Sequence, residues 1–351
     1  MPRMPRPRLR SMTMSGTQVQ GNPVQLRPEL AAIDVVHMRG LEIGPLASPR
    51  VRKDEGPVRY VDHASAAELR QKYGTNQGMR DRLDEIVEVD YVLGATTTIA
   101  EAVAGDAPFD YVIAAHVIEH IPDPVGWLED LTHVLRPGGI LSLIIPDKRY
   151  CFDINRSLTE VSDLVDANLR RLRQPSFRQA YDFYSKAIGG TVDTAAVWAG
   201  TADYSLAVRE DFDDPDVAAL DACRQMQISD EFVDVHCHVF TPDSFLGLVE
   251  KLARLGLIDY EVAAFVPTQP NNFEFYVSLR LLDAASGREP IRQTQLDAIR
   301  IARTRMQSEH PRRLDTQSRL VRMEVSNLEE RLLVVKRRTL ARLRAVLKRG
   351  K

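Results

Sequence analysis

Cysteine is scarce in this 351-residue chain: Cys151, Cys223 and Cys237 are the only three, at a spacing that suits neither a disulfide framework nor a metal motif. That points to a reducing, cytoplasmic setting. Long apolar runs are missing too, since none approaches the roughly eighteen residues needed to cross a bilayer. The opening segment, with Arg3, Arg6, Arg8 and Arg10, has no apolar stretch of the kind a secretion signal carries. Positive charge is thin away from the two ends. Four basic residues stand in the first ten and nine follow Glu330, so removing those thirteen from the net charge of −3 leaves −16 on the rest. Such a body excludes nucleic acid as its partner.

A glycine-rich phosphate turn is also absent. After Leu41-Glu42-Ile43-Gly44 come Pro45-Leu46-Ala47-Ser48-Pro49, with one glycine and two prolines that offer no amide donor. A pyrophosphate cradle, and with it a nicotinamide dehydrogenase, is excluded; a nucleoside ligand without phosphates fits.

What is present is an α/β pattern, and 44% hydrophobic residues can supply its core. Tyr111 to Ala115 and Ile140 to Ile145 are short continuous apolar runs, as expected of strands covered on both faces. Between them Asp123 caps a helix, Pro124 opens it, and Trp127, Leu128, Leu131, Val134 and Leu135 recur at helical spacing before Pro137-Gly138-Gly139 stops it. Upstream, Leu41 to Gly44, Val58 to Val61 (closing at Asp62) and Ile86 to Val89 (closing at Asp90) read as three more strands. Ser65 and Glu68 form a capping box for a helix ending at Gly74. Asp62 stands twenty positions after Glu42, where a strand end can accept hydrogen bonds from ribose hydroxyls. Only Pro45 to Pro57 separates the first two strands, so the helix usual there is short or missing. Ligands of such sheets sit beyond the carboxyl ends of the strands.

The order LEIG, VRYVDH, IVEVDYV, FDYVIAAHVIEH and LRPGGILSLIIPD, over roughly Leu41 to Asp147, resembles the class I S-adenosylmethionine-dependent methyltransferases. The resemblance implies a Rossmann-like, doubly wound, seven-stranded sheet with S-adenosylmethionine as cofactor. It implies that Glu42 and Gly44 line the methionine and ribose pocket, that Asp62 binds the ribose hydroxyls, that Asp90 lies near the adenine, and that Ala115 and His116 lie beside the methionine. Later in the chain, Thr241 caps, Pro242 opens and Gly256 closes a helix with an apolar face of Phe245, Leu248, Val249 and Leu252. Tyr260 to Val266 and Phe273 to Leu281 follow as a hairpin, similar to the last helix and antiparallel edge hairpin of that fold.

Five segments result: a disordered basic arm (1–30), the first part of the α/β domain (31–147), an inserted cap over the ligand-facing edge (148–239), the last helix and hairpin (240–285), and a helical, coiled-coil extension with a basic tail (286–351). In that last segment Leu314, Val321, Leu328 and Val335 recur every seven residues. Two readings of the tail stay open: a basic face lying on an anionic membrane surface, or a solvated helix in a homo-oligomer.

Methyl transfer to a hydroxyl is helped by a general base. His116, Asp147 and His238 are the leading candidates, with Glu119, His120 and His236 behind them; Lys148 and Arg149 are rim groups for an acceptor's carboxylate or phosphate. His236-Cys237-His238 invites a metal, yet no third or fourth ligand is signalled, so none is expected. The acceptor expected is a small molecule or a saccharide, since an IPDKRY-like segment with a coiled tail resembles enzymes of surface-glycan pathways. The alternative function is a catalytically silent scaffold that recruits partners through the helix from Leu314.

Overall fold

The computed structural model describes residues 27–309 apart from 76, 77, 95, 190, 191, 205, 206, 208–211 and 230. Most of the Arg-rich arm and the heptad segment from Leu314 to Lys351 lie outside the described residues, and the membrane, oligomer and scaffold readings with them. The arm does not extend to residue 30. Pro28–Leu30 is a 3-10 turn, and Ser142 Oγ on the central sheet donates to the Glu29 carbonyl at 2.7 Å.

Seven strands form one sheet: β1 (Gly40–Ile43), β2 (Val58–Asp62), β3 (Tyr91–Val92), β4 (Phe109–Ala115), β5 (Leu135–Pro146), β6 (Tyr260–Val266) and β7 (Glu274–Leu281). Their order is β3-β2-β1-β4-β5-β7-β6, with β1 to β5 parallel and β7 antiparallel to both neighbours. This is the Rossmann-like arrangement with an antiparallel edge hairpin. All four β1 residues and Tyr111 to Ala114 of β4 are buried, which explains the unbroken apolar run in β4.

Helix α1 (Ala66–Tyr73) begins at the Ser65–Glu68 capping box, α2 (Ile99–Ala102) at a second box, and α3 (Pro124–Leu131) at Asp123, whose side chain accepts from the Gly126 amide. The insertion holds α4 (Val161–Arg170), α5 (Phe177–Lys186), α6 (Thr194–Ala199) and α7 (Pro215–Met226). Helix α8 (Pro242–Leu255) starts at Thr241 and ends at Gly256 in the left-handed region, and α9 (Arg288–Glu309) follows the hairpin. Gln295 fixes α9, donating to the Ile258 and Tyr260 carbonyls. Among the described residues no helix is long and apolar enough to cross a membrane.

Two sequence expectations need correction. The third strand is Tyr91–Val92, not Ile86 to Val89, because pairing with β2 begins only opposite Val61. Helix α3 stops at Leu131, and Leu135 already belongs to β5, pairing with Phe109. His236 and His238 lie on irregular backbone, and Phe240 bridges to Asp147.

One face of the sheet packs on α3, α8 and α9 through residues such as Val112, Leu143, Leu131, Leu248 and Ile299. No helix joins β1 to β2, and the other face is covered by irregular backbone: Val51, with Leu30, Ile33 and Val35, packs on Tyr60, Ile113 and Ile144. That cover is tight. A Cβ at Gly56 would stand 1.7 Å from the Val35 carbonyl oxygen, so only glycine lets the two stretches meet. The insertion buries a core of its own, with Phe152, Phe183, Tyr184, Ala219 and Val235 at its centre.

Candidate active site

The site lies where three neighbouring parallel strands end together. Ile43 of β1 pairs with both Val61 and Ala114, so Gly44, Asp62 and Ala115 are the next residues along one carboxyl edge. Gly44 has φ +64°, and a Cβ built there would meet only Val117 Cγ2 at 3.8 Å, which leaves open space over the turn. Asp62 is 6% exposed; its Oδ1 accepts from the His63 amide at 2.7 Å and lies 2.6 Å from His63 Nδ1, and among the described residues Oδ2 accepts no hydrogen bond. An open turn beside a buried carboxylate with one uncommitted oxygen fits a ribose and its substituents.

Glu42 has a different task. It is buried, and its two oxygens accept from the Arg50 and Val51 amides at 2.6 and 3.1 Å, so it braces the loop that replaces the first helix. Burial raises its pKa to about 7 against the pull of those two amides and of Arg50. A carboxyl raised on folding adds stability at low pH that is lost as pH climbs from about 4.5 to about 7. Relative to Glu42→Gln, the wild-type chain should lose about 3 kcal/mol between pH 4.5 and pH 8, a scale set by 1.36 kcal/mol per pH unit. Denaturant unfolding of both chains over that range checks this, and parallel curves would remove Glu42 ionisation as the cause.

Asp90 is not at the edge. It precedes β3, level with Tyr60, where its carboxylate accepts from the Tyr60 amide at 2.8 Å and pairs with Lys53 and Arg59. The residue at the carboxyl edge is Leu93, whose amide donates to the Asp62 carbonyl.

His116 closes the edge at the end of β4. Its backbone is left-handed (φ +54°), a conformation that costs a non-glycine residue roughly 1–2 kcal/mol and marks functional sites. The ring lies between two carboxylates, with Nε2 2.7 Å from Glu274 Oε1 and Nδ1 3.3 Å from Glu119 Oε1. Burial opposes charge on the ring, but the two carboxylates outweigh it and raise its pKa to about 9. Burial alone would raise Glu274 as well; His116, Arg50 and the Tyr276 hydroxyl bring it down to about 2. Opposite charges thus alternate from Arg50 through Glu274 and His116 to Glu119.

The basic atoms of all three expected bases are already engaged by protein groups. Both nitrogens of His116 face carboxylates. Asp147 is fully buried, holding the Arg149 guanidinium through both oxygens (2.9 and 2.6 Å) and accepting from Thr268 Oγ1 at 2.7 Å. His238 is 1% exposed and faces no opening; it sits against the Pro122 carbonyl and Gln179, and burial lowers its pKa to about 4. His238 instead joins the insertion to the turn after β4, since its amide donates to the Glu119 carbonyl.

The insertion meets the edge at several points. Asp234 bonds His120 at 2.8 Å, Trp198 stacks on Tyr150 with ring centres 4.2 Å apart, and its indole N–H donates to the Asn272 carbonyl ahead of β7. Sequence reasoning missed Glu274, Asp153 and Asp234. Glu274 had one signal: it opens the strand that pairs antiparallel with the carboxyl end of β5, opposite Pro146.

Residues 17–187 match the family model described as a methyltransferase domain. A ubiquinone biosynthesis O-methyltransferase of Parvibaculum lavamentivorans is 43% identical over 53 residues, covering 15% of this chain and 20% of that protein. One from Xanthomonas oryzae pv. oryzae is 29% identical over 126 residues, covering 35% and 48%. The chain thus spans half or less of the curated relatives it matches. A solved S-adenosylmethionine-dependent methyltransferase from Methanosarcina mazei is 16% identical, covering 71% of this chain and 94% of that one, with a TM-score of 0.36. Just under half of the chain thus matches a methyltransferase domain, and its sheet has the seven-stranded order that the sequence resemblance implies.

Proposed function

We propose that this chain transfers the methyl group of S-adenosylmethionine to an oxygen of a small molecule or a saccharide. The observation that carries the reading is the convergence of Gly44, Asp62 and Ala115 on one strand edge that has no phosphate-binding turn. In this reading Gly44 leaves room for the ribose and methionine, Asp62 Oδ2 accepts from the ribose hydroxyls, and Ala115 and His116 flank the methionine. Leu93, rather than Asp90, borders the adenine. Bound S-adenosylmethionine would supply an electrophilic methyl on a sulfonium. Glu119 and Glu274 are balanced by His116 and Arg50, so Asp62 is the carboxylate at this edge that suits a cationic ligand.

The protein's part in such a transfer is alignment, because an in-line displacement gains most from holding the reacting atoms close. The insertion supplies the acceptor side. Arg149, Tyr150 and Trp198 form a rim suited to a ligand bearing hydroxyls or a carboxylate. Oxygen as acceptor atom is supported by the names of the curated relatives.

Calorimetric titration with S-adenosylmethionine, S-adenosylhomocysteine and NAD tests the reading. Micromolar binding of the first two without NAD is expected. Binding of NAD alone, or of none, would overturn it.

A further inference from the structure

Glu119 is an anomaly in this fold. It is fully buried, and neither carboxylate oxygen has a hydrogen-bond partner; His116 Nδ1, at 3.3 Å, is its only close ion-pair contact among the described residues. The charged His116 ring meets only Oε1, and a buried oxygen left like Oε2 is costly unless a second cation completes it. Two histidines face it. Ligand atoms of Glu119, His120 and His236 all lie within 4.8 Å of one another, and the two imidazoles meet edge to face with centres 4.6 Å apart.

Each histidine is held from behind by a carboxylate. His120 Nδ1 lies 2.8 Å from Asp234 Oδ1 and His236 Nδ1 lies 2.6 Å from Asp153 Oδ2, which leaves Nε2 of each as the nitrogen for a ligand. A carboxylate on the second ring nitrogen is the usual support of a metal-binding histidine, because it fixes the tautomer and raises ligand basicity. We propose that Glu119, His120 and His236 bind one divalent first-row transition ion, with zinc the ion their two-imidazole, one-carboxylate set suits best.

Ligand atoms around a tetrahedral zinc stand about 3.3 Å apart at bond lengths near 2.0 Å, so the three side chains close on the ion by rotation. His120, 30% exposed along its side chain, gives the entry path. Three protein ligands leave a fourth position open. The ion would tie the turn after β4, which carries Glu119 and His120, to the end of the insertion, which carries His236. It would also make the proton of an acceptor oxygen in the open position easier to lose, supplying what His116, Asp147 and His238 do not. That use rests on the methyltransferase reading, whereas binding of the ion does not.

The test uses the full chain without a histidine tag, stripped with a chelator and titrated with zinc chloride by calorimetry. One ion per chain at micromolar or lower Kd is expected. His236→Ala should weaken binding at least 100-fold, and Asp234→Asn, which removes only the support of His120, about 10- to 100-fold. Should His236→Ala fail to fold by circular dichroism, Asp234→Asn decides, since Asp234 is half exposed. No saturable binding to the wild-type chain, or wild-type affinity in the deciding variant, overturns the proposal. S-adenosylmethionine titrated into the same samples separates the two readings, because cofactor binding without zinc binding sinks the metal site alone.

Discussion

Arg156→Ala is expected to lose about 3–5 kcal/mol of folding stability, the cost of leaving a buried ion pair without one partner. The Arg156 side chain is 1% exposed and forks between two carboxylates: Nη1 donates to Asp153 Oδ1 at 2.8 Å and Nε to Asp182 Oδ2 at 2.9 Å. Asp153 is itself buried and cannot be rescued by water once the guanidinium is gone. The site belongs to the insertion's own core, with the guanidinium over the Phe183 ring. Loss should therefore appear first in amide exchange of α5 and the segment around Phe152. Arg156→Lys should recover only part of it, because one ammonium nitrogen must reach both carboxylates that the guanidinium fork meets with two separate nitrogens. Urea unfolding measures the effect, and a loss under about 1 kcal/mol would show that the cluster is hydrated rather than sealed.

The second large effect is on ligand binding. Asp62→Ala should weaken S-adenosylmethionine by about 1.5–3 kcal/mol, the scale of a hydrogen bond to a charged group, or roughly 10- to 150-fold in Kd. Asp62 ends β2 at the edge, and its carboxylate also holds the His63 amide, so the variant's melting temperature must be read beside its affinity. Unchanged affinity in a folded variant would remove Asp62 from the site.

The sheet was largely legible because its signals are local. Apolar runs mark strands buried on both faces, and Ser65, Asp123 and Thr241 each cap a helix by contacts within three residues. β3 was misplaced because only two residues pair, and the apolar Ile86 to Val89 beside it mimics a strand. The placement of Gly44, Asp62 and Ala115 on one edge was legible because it follows from strand ends. The partners of His116, Asp147 and His238 were not, since each lies far away in sequence: Glu274 for the first, Thr268 for the second, Pro122 and Gln179 for the third. Residue type shows that a histidine can accept a proton, but neighbours decide whether it has a lone pair free.

The interruption of the sheet also sets an order of events at the ribosome. β5 needs β7 beside it, with Ile140 opposite Arg280 and Pro146 opposite Glu274, yet the whole insertion is translated between them. At 5–20 residues per second, on the order of 10 s pass between the emergence of Pro146 and of Leu281. For that interval the hydrophobic β5 is an unpaired strand edge, open to pairing with another chain. Chains stalled within the insertion should accordingly be the aggregation-prone species in this protein's synthesis, and the completed hairpin the event that ends the exposure.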